Sequence, residues 1–194
     1  MTIFCVHGIH TDDRHNVTAQ LAPAFRQVAG EDVMVWKYGY ALALTTGLTN
    51  FLNERRAAKL AKIVRPHDSI VAHSNGCAIA WLLQSEHVLL DRLVLVQPAL
   101  DAWRTFDNVR RVLVLHNDED EVVGASTLGF ASAWGDMGKT GYAGALDNVE
   151  QWNTKAPPHL LPPYAGHSGI VADDSRRRQW SMALANWMLN HKGA

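Results

Sequence analysis

Short, continuously apolar runs alternate with segments of helical periodicity along most of the chain. The runs at Thr2–His7, Val33–Tyr38, Ser69–His73, Leu93–Gln97, Val112–His116 and Val149–Asn153 are of strand length. Their apolar side chains fall at consecutive positions rather than at every second one, so neither face of such a strand is wet. Helical periodicity fills Val17–Ala29, Phe51–Ile63, Asn75–Ser85 and Asp174–His191. A further helix is expected within Ser126–Trp134, and a single turn within Ala102–Val109. Gly30 with Glu31 closes the first helix, and Pro66 bars continuation of the second. This alternation predicts an α/β fold, a three-layer α/β/α sandwich around a six-stranded, mostly parallel sheet. Right-handed crossovers, with the second strand outside the first and the third on the first strand's other side, give the order 2-1-3-4-5-6. The winding reverses between the first and third strands, and ligands settle at such a switch point.

Composition narrows the class. At 194 residues, 47% apolar and 19% charged, the chain reads as one globular domain spanning 1–194, with a core that needs no metal or disulfide staple. A formal net charge of -1 offers no attraction to nucleic acid or anionic lipid. Arg176-Arg177-Arg178 reads as a solvated helix start. No apolar run approaches the roughly 20 residues a membrane-spanning helix needs. A strand-like segment begins almost at Met1, so the expectation is a cytoplasmic protein without a secretory signal. Cys5 and Cys77 fit two buried thiols in a reducing compartment.

The third apolar run holds the most chemical information. Ser69–His73 passes through Ser74-Asn75-Gly76 straight into a helix, which sets the Ser74 hydroxyl on a sharp turn at the top of the sheet. Ala72 and Gly76 supply the small flanking residues that such a nucleophile elbow requires, a small-x-Ser-x-small variant of G-x-S-x-G. The plain alternative is a serine that merely caps the helix. A serine hydroxyl needs a base, and the base needs an orienting group. Asp120 follows the fifth strand and precedes the apolar pair Val122-Val123; it leads over Asp118 and over Asp101, which follows the fourth strand. His167, between Gly166 and Ser168 ahead of the last helix, is the candidate base, with His159 as its rival in a Pro-Pro setting. The first strand ends in His7-Gly8-Ile9-His10, so the backbone N–H groups of Ile9 and Asn75 are the expected oxyanion donors. His73 and His116 read as structural residues at strand ends.

These residues, with His7-Gly8, His73-Ser74-Asn75-Gly76, Asp120 and Gly166-His167 in the order Ser, Asp, His, resemble a compact α/β-hydrolase over nearly the whole chain. In size and layout the chain is most similar to the small branch that contains the retinoblastoma-binding hydrolase and its bacterial relatives. It departs by Ala72 where many relatives have Gly, and by long segments between Asp120 and His167. The resemblance implies a serine hydrolase without cofactor, of esterase type, using a Ser-His-Asp triad. Thioesterase, amidase or peptidase action shares the same triad, and a non-catalytic binding module on this fold is the remaining alternative.

The substrate side is less determined. Only about a dozen residues join the fourth and fifth strands, too few for a cap domain, so an open site for short or exposed acyl groups is expected. Two segments look mobile enough to roof it: Gly135–Gly144, with four glycines, and the proline-rich Ala156–Gly166. His10, Trp103, Trp134, Leu160 and Tyr164 are the candidate substrate contacts. A metal centre is disfavoured: His7, His10, Asp12, Asp13, His73, His116 and Asp118 lack disciplined ligand spacing. No phosphate-binding glycine motif is present. Substrate identity and oligomeric state are not legible.

Overall fold

The computed structural model of the protein describes residues 1–8, 16–29, 32–38, 46–122 and 135–189. Its strands are β1 (Thr2–Val6), β2 (Asp32–Trp36), β3 (Ser69–His73), β4 (Leu90–Val96), β5 (Val109–His116) and β6 (Val149–Asn153). Helices α1 (Val17–Ala29), α2 (Thr46–Ala61), α3 (Asn75–Leu82), α4 (Met137–Thr140) and α5 (Asp174–Leu189) lie between and after them, with a 3-10 turn at Gly169–Val171. The sheet order is β2-β1-β3-β4-β5-β6 and all five pairings are parallel, as the periodicity predicts.

The continuous apolar runs follow from burial on both faces. Successive side chains of a strand point to opposite sides, so each run serves two cores at once. Phe4, Val6, Ile70, Ala72, Leu93, Leu95, Val112 and Val114 pack on the side of α2 and α3, with Ala57, Leu60, Ile79 and Leu83. Ile3, Cys5, Val71, Val94, Val96, Leu113 and Leu115 pack on the other side, against Leu21 and Phe25 of α1 and Trp180, Leu184 and Met188 of α5. Each such buried aliphatic side chain contributes about 1.5–3 kcal/mol. Cys5 and Cys77 are both buried and unpaired, and they occupy opposite cores. Burial pushes the Cys5 thiol up to about 12 and raises Cys77 as well, so both are packing residues.

Differences from the sequence reading concern ends and loops. The fourth and fifth strands begin earlier than predicted, at Leu90 and Val109, because the polar Asp91-Arg92 and Arg110-Arg111 pairs continue the ladder. Arg92 is buried there: it pairs with Asp91 at 3.3 Å and donates to the Trp187 carbonyl, which pins α5 to the sheet. Gly135–Gly144 is built into the fold rather than standing as a loose roof. It carries α4, Met137 is buried, and the Met137 and Gly138 N–H groups donate to Leu100 and Pro98 carbonyls at 2.9 Å. The segment Ala102–Asn108 forms turns without a helix, and Val109 already opens β5. The helix expected within Ser126–Trp134 lies outside the described residues. Among the described residues, no helix is long and apolar enough to cross a membrane.

Candidate active site

The strand register brings the carboxyl ends of β1, β3, β4 and β5 level with one another, Val6 beside Ala72, Ala72 beside Leu95, and Leu95 beside Val114. Ser74 follows β3 immediately and opens α3. Its backbone stands at φ 56°, ψ −127°, a conformation that costs a non-glycine residue on the order of 1–3 kcal/mol. The turn is held from both sides: Ser74 N–H donates to the Val96 carbonyl at 3.0 Å, and the Ser74 carbonyl accepts from Cys77 at 3.0 Å and Ala99 at 3.3 Å. The side chain makes no cap to the helix, so the plain capping role does not describe it.

Two glycines allow this packing. A Cβ on Gly76 would lie 2.4 Å from the His7 carbonyl oxygen and 2.6 Å from that of Val6. A Cβ on Gly8 would lie 2.9 Å from Ser74 Cβ and 3.3 Å from its Oγ. The exit of β1 and the elbow therefore meet in backbone contact at the topological switch point. Ile9 and His10 lie outside the described residues. The Asn75 N–H is the first of α3 and has no acceptor within the helix.

His167 Nδ1 lies 3.0 and 2.9 Å from the two carboxylate oxygens of Asp120. Asp120 is fully buried, and the His167 side chain is 12% exposed. The competing candidates sit elsewhere. Asp118 is exposed and paired with Lys155 at 3.1 Å, which lowers its carboxyl below the ordinary range; Asp101 is exposed and accepts the Trp103 N–H at 3.0 Å. His159 is exposed beside Trp152.

Three buried residues that the sequence reading passed over hold this arrangement together. Asn117 bridges the acid and base loops: its amide accepts from Gly166 N–H at 3.2 Å and donates to the Gly166 carbonyl at 3.3 Å and to Thr154 Oγ1 at 3.1 Å. Asn53 of α2 forms a reciprocal amide pair with Asn75 at 2.8 and 3.1 Å. Thr154 ties β6 to the base loop by donating to the Tyr164 carbonyl at 3.0 Å. Their isolated positions carry no motif; only the polar identity of a residue at a strand end or inside an apolar helix face could have flagged them.

His73 lies under the elbow. Burial, then the neighbouring His167 ring, lower its pKa from 6.5 to about 3; the bond to the His167 carbonyl opposes this, and the His7 ring adds a smaller lowering. It is neutral in the folded protein, whereas the unfolded chain takes up a proton below about pH 6.5. Stability is therefore lost as pH falls from 6.5 toward 3, by about 1 kcal/mol between pH 6 and pH 5 from this residue alone. Urea unfolding of His73→Gln at those two pH values should show a loss smaller by that amount; an unchanged loss would contradict the assignment.

The candidate substrate residues are dispersed. Trp103 is 72% exposed on the loop after β4, and Trp134 lies outside the described residues. Leu160 is fully exposed and shares a groove of about 450 Å³ with Met182 and Trp187 of α5, not with Ser74. Tyr164 is a correction: it is buried against Trp180, and its hydroxyl donates to Gln97 Oε1 at 3.0 Å, so it packs in the interior instead of facing a ligand. Among the described residues, no group of three or more His, Cys, Asp and Glu side chains is placed to hold a metal ion.

Solved structures resemble this arrangement in their folds. Mouse alpha/beta hydrolase domain-containing protein 10 superimposes with a TM-score of 0.61 at 11% identity, covering 96% of this chain and 89% of that one. A hyperthermophilic esterase from the archaeon Pyrobaculum calidifontis gives 0.57 at 12% identity, covering 96% and 74%. A serine hydrolase involved in carbazole degradation gives 0.56 at 14% identity, covering 97% and 89%. No protein-family model matches the sequence, and no curated protein matches it.

Proposed function

Because the chain carries the α/β-hydrolase fold, we propose that it is a serine hydrolase that cleaves carboxylic esters through an acyl-enzyme on Ser74. The observation that carries this reading is a strained serine whose preceding residue, His73, packs on the histidine of a histidine–carboxylate pair. Ser74 sits at φ 56° on the strand-to-helix turn, and His167, bonded to Asp120, places its ring 4.7 Å from that of His73, the residue before the serine. Similarity in fold to proteins described as esterases supports the same direction.

In the first half-reaction His167 Nε2 accepts the Ser74 Oγ proton as that oxygen attacks the ester carbonyl carbon. The carbonyl π pair moves onto oxygen, which the N–H of Asn75 receives, with Ile9 proposed as the second donor. Each such donor is worth roughly 3 kcal/mol of barrier. Asp120 accepts the Nδ1–H, so the Nε2 lone pair faces the serine and the imidazolium is stabilised. The oxyanion collapses, the C–O bond to the alcohol breaks, and His167 gives its proton to the leaving oxygen. Water then attacks the acyl group with His167 as base, and Ser74 leaves with the proton. Ser74 Oγ has no hydrogen-bond partner among the described residues; apo enzymes often tighten the serine–histidine contact only with substrate in place.

The segment from Gln97 to Asn108 is all that separates β4 from β5 and leaves no room there for a cap domain, which favours short acyl chains or an ester projecting from something larger. Mixing the protein with p-nitrophenyl acetate should give a burst of p-nitrophenol equal to the enzyme present. In a series of p-nitrophenyl esters, kcat/KM should be highest between acetate and butyrate. Absence of any turnover on ester, thioester and amide substrates would remove the hydrolase reading, and a maximum at long chains would remove the open-site reading.

A further inference from the structure

His73 joins the base loop to the strand that carries the nucleophile. Its Nε2 lies 3.0 Å from the backbone carbonyl oxygen of His167, across 94 positions of sequence. The two rings pack at 4.7 Å with an interplanar angle of 49°. His73 is the last residue of β3 and is bonded through the chain to Ser74, so its contact ties the base directly to the nucleophile's strand. We propose that His73 is a positioning residue for the hydrolytic reaction, its Nε2–H holding the His167 backbone where the His167 ring reaches Ser74. The inference rests on the serine-hydrolase reading.

The chemistry of the contact defines the form of His73. A carbonyl only accepts, so Nε2 must carry the proton. In a neutral ring Nδ1 is then a bare acceptor, and that atom is buried without a hydrogen-bond partner among the described residues. It faces the β1 exit, 3.4 Å from where a Cβ on Gly8 would stand. A buried imidazole with one nitrogen unsatisfied costs free energy that an apolar residue at a strand end would avoid. The donor at Nε2 is what an aliphatic replacement would lose. His73 does not compete as a base, because its protonated form is strongly disfavoured there and its one proton is engaged.

The Asp120 contact fixes the His167 ring from one side, and Asn117 fixes Gly166, the residue before it. Neither connects to β3. Without the His73 bond, no hydrogen bond among the described residues joins the His167 backbone to β3; the loop around it is held by Asn117 after β5, Thr154 after β6 and Gln97 after β4, while the serine stays with β3 and α3. A displacement of the base of even about 1 Å can cost on the order of 100-fold in rate.

The test compares two amides. A glutamine amide nitrogen reaches the place of Nε2, whereas an asparagine amide stops near the place of Nδ1. His73→Gln should keep kcat for p-nitrophenyl acetate within about threefold of wild type, and His73→Asn should lower kcat on the order of 10- to 100-fold with KM within about twofold. Equal kcat values for the two variants, measured on protein with native near-UV circular dichroism, would overturn the inference. Should neither variant fold, long-range 1H–15N NMR of the wild-type protein decides: His73 protonated at Nε2 between pH 6 and 8 supports it, and the Nδ1–H tautomer overturns it. A wild-type protein that hydrolyses no ester would instead overturn the functional reading beneath.

Discussion

Replacement of Ser74 by alanine should reduce ester turnover by on the order of 10⁴- to 10⁶-fold while leaving the fold intact. The size follows from the role: removing a nucleophile that acts as one unit with its base leaves only the help of binding and the oxyanion donors. The neutrality toward folding follows from the structure. Ser74 Oγ makes no hydrogen bond among the described residues, and alanine meets the same left-handed backbone as serine does. The unfolding free energy of Ser74→Ala, read from urea titration, should thus stay within about 0.5 kcal/mol of wild type. Ser74→Gly should be equally inactive and about 1 kcal/mol more stable, because glycine adopts φ 56° without a Cβ penalty. A Ser74→Ala protein that retains a tenth of wild-type turnover would exclude the acyl-enzyme.

Asp120→Asn should lower kcat by on the order of 10⁴-fold with little change in KM. His167 Nδ1 meets both oxygens of a carboxylate that is fully buried. An asparagine amide can turn an N–H toward that ring, which favours the tautomer with its proton on Nε2, the wrong side for accepting from Ser74. The charge that stabilises the imidazolium is lost at the same time. Asp118→Asn serves as the internal control. Its carboxylate is exposed and pairs with Lys155 at the surface, so activity should remain within about twofold. The reverse ranking of the two variants, read from steady-state kinetics, would move the acid to Asp118.

The architecture was open to sequence reading because its signal is repeated. Six apolar runs, separated by helical periodicity, all report the same buried parallel sheet, and β3 and β6 match the predicted ranges. The order of strands rested on setting the second strand outside the first and the third on its other side, and right-handed crossovers then put helices on both faces. The candidate nucleophile was legible because the elbow compresses strand, turn and helix into adjacent residues, where the small side chains of Ala72 and Gly76 have one physical purpose. Asp120 and His167 were harder, since each is defined by a contact across 47 positions. Their places at the ends of the fifth and sixth strands carried the inference.

What the sequence concealed is equally physical. Asn117, Asn53 and Thr154 act through pairwise hydrogen bonds between distant segments, and no spacing announces such a pair. Tyr164 looked like a loop aromatic because prolines surround it, yet Trp180 and Gln97 draw it inside. The glycines at 135, 138, 141 and 144 suggested looseness, whereas Gly138 lies close against the backbone after β4 and its neighbours form α4. Composition reports conformational freedom in the unfolded chain; it does not report which backbone a glycine is meant to approach.

Labelling with a fluorophosphonate, followed by peptide mapping, tests the central claim most directly. Phosphonylation traps an activated serine without depending on the choice of substrate. The account predicts one adduct per chain, on the peptide that contains Ser74, lost in Ser74→Ala and slowed in Asp120→Asn. An adduct on any other residue, or full ester turnover by protein that the reagent leaves unmodified, would contradict it.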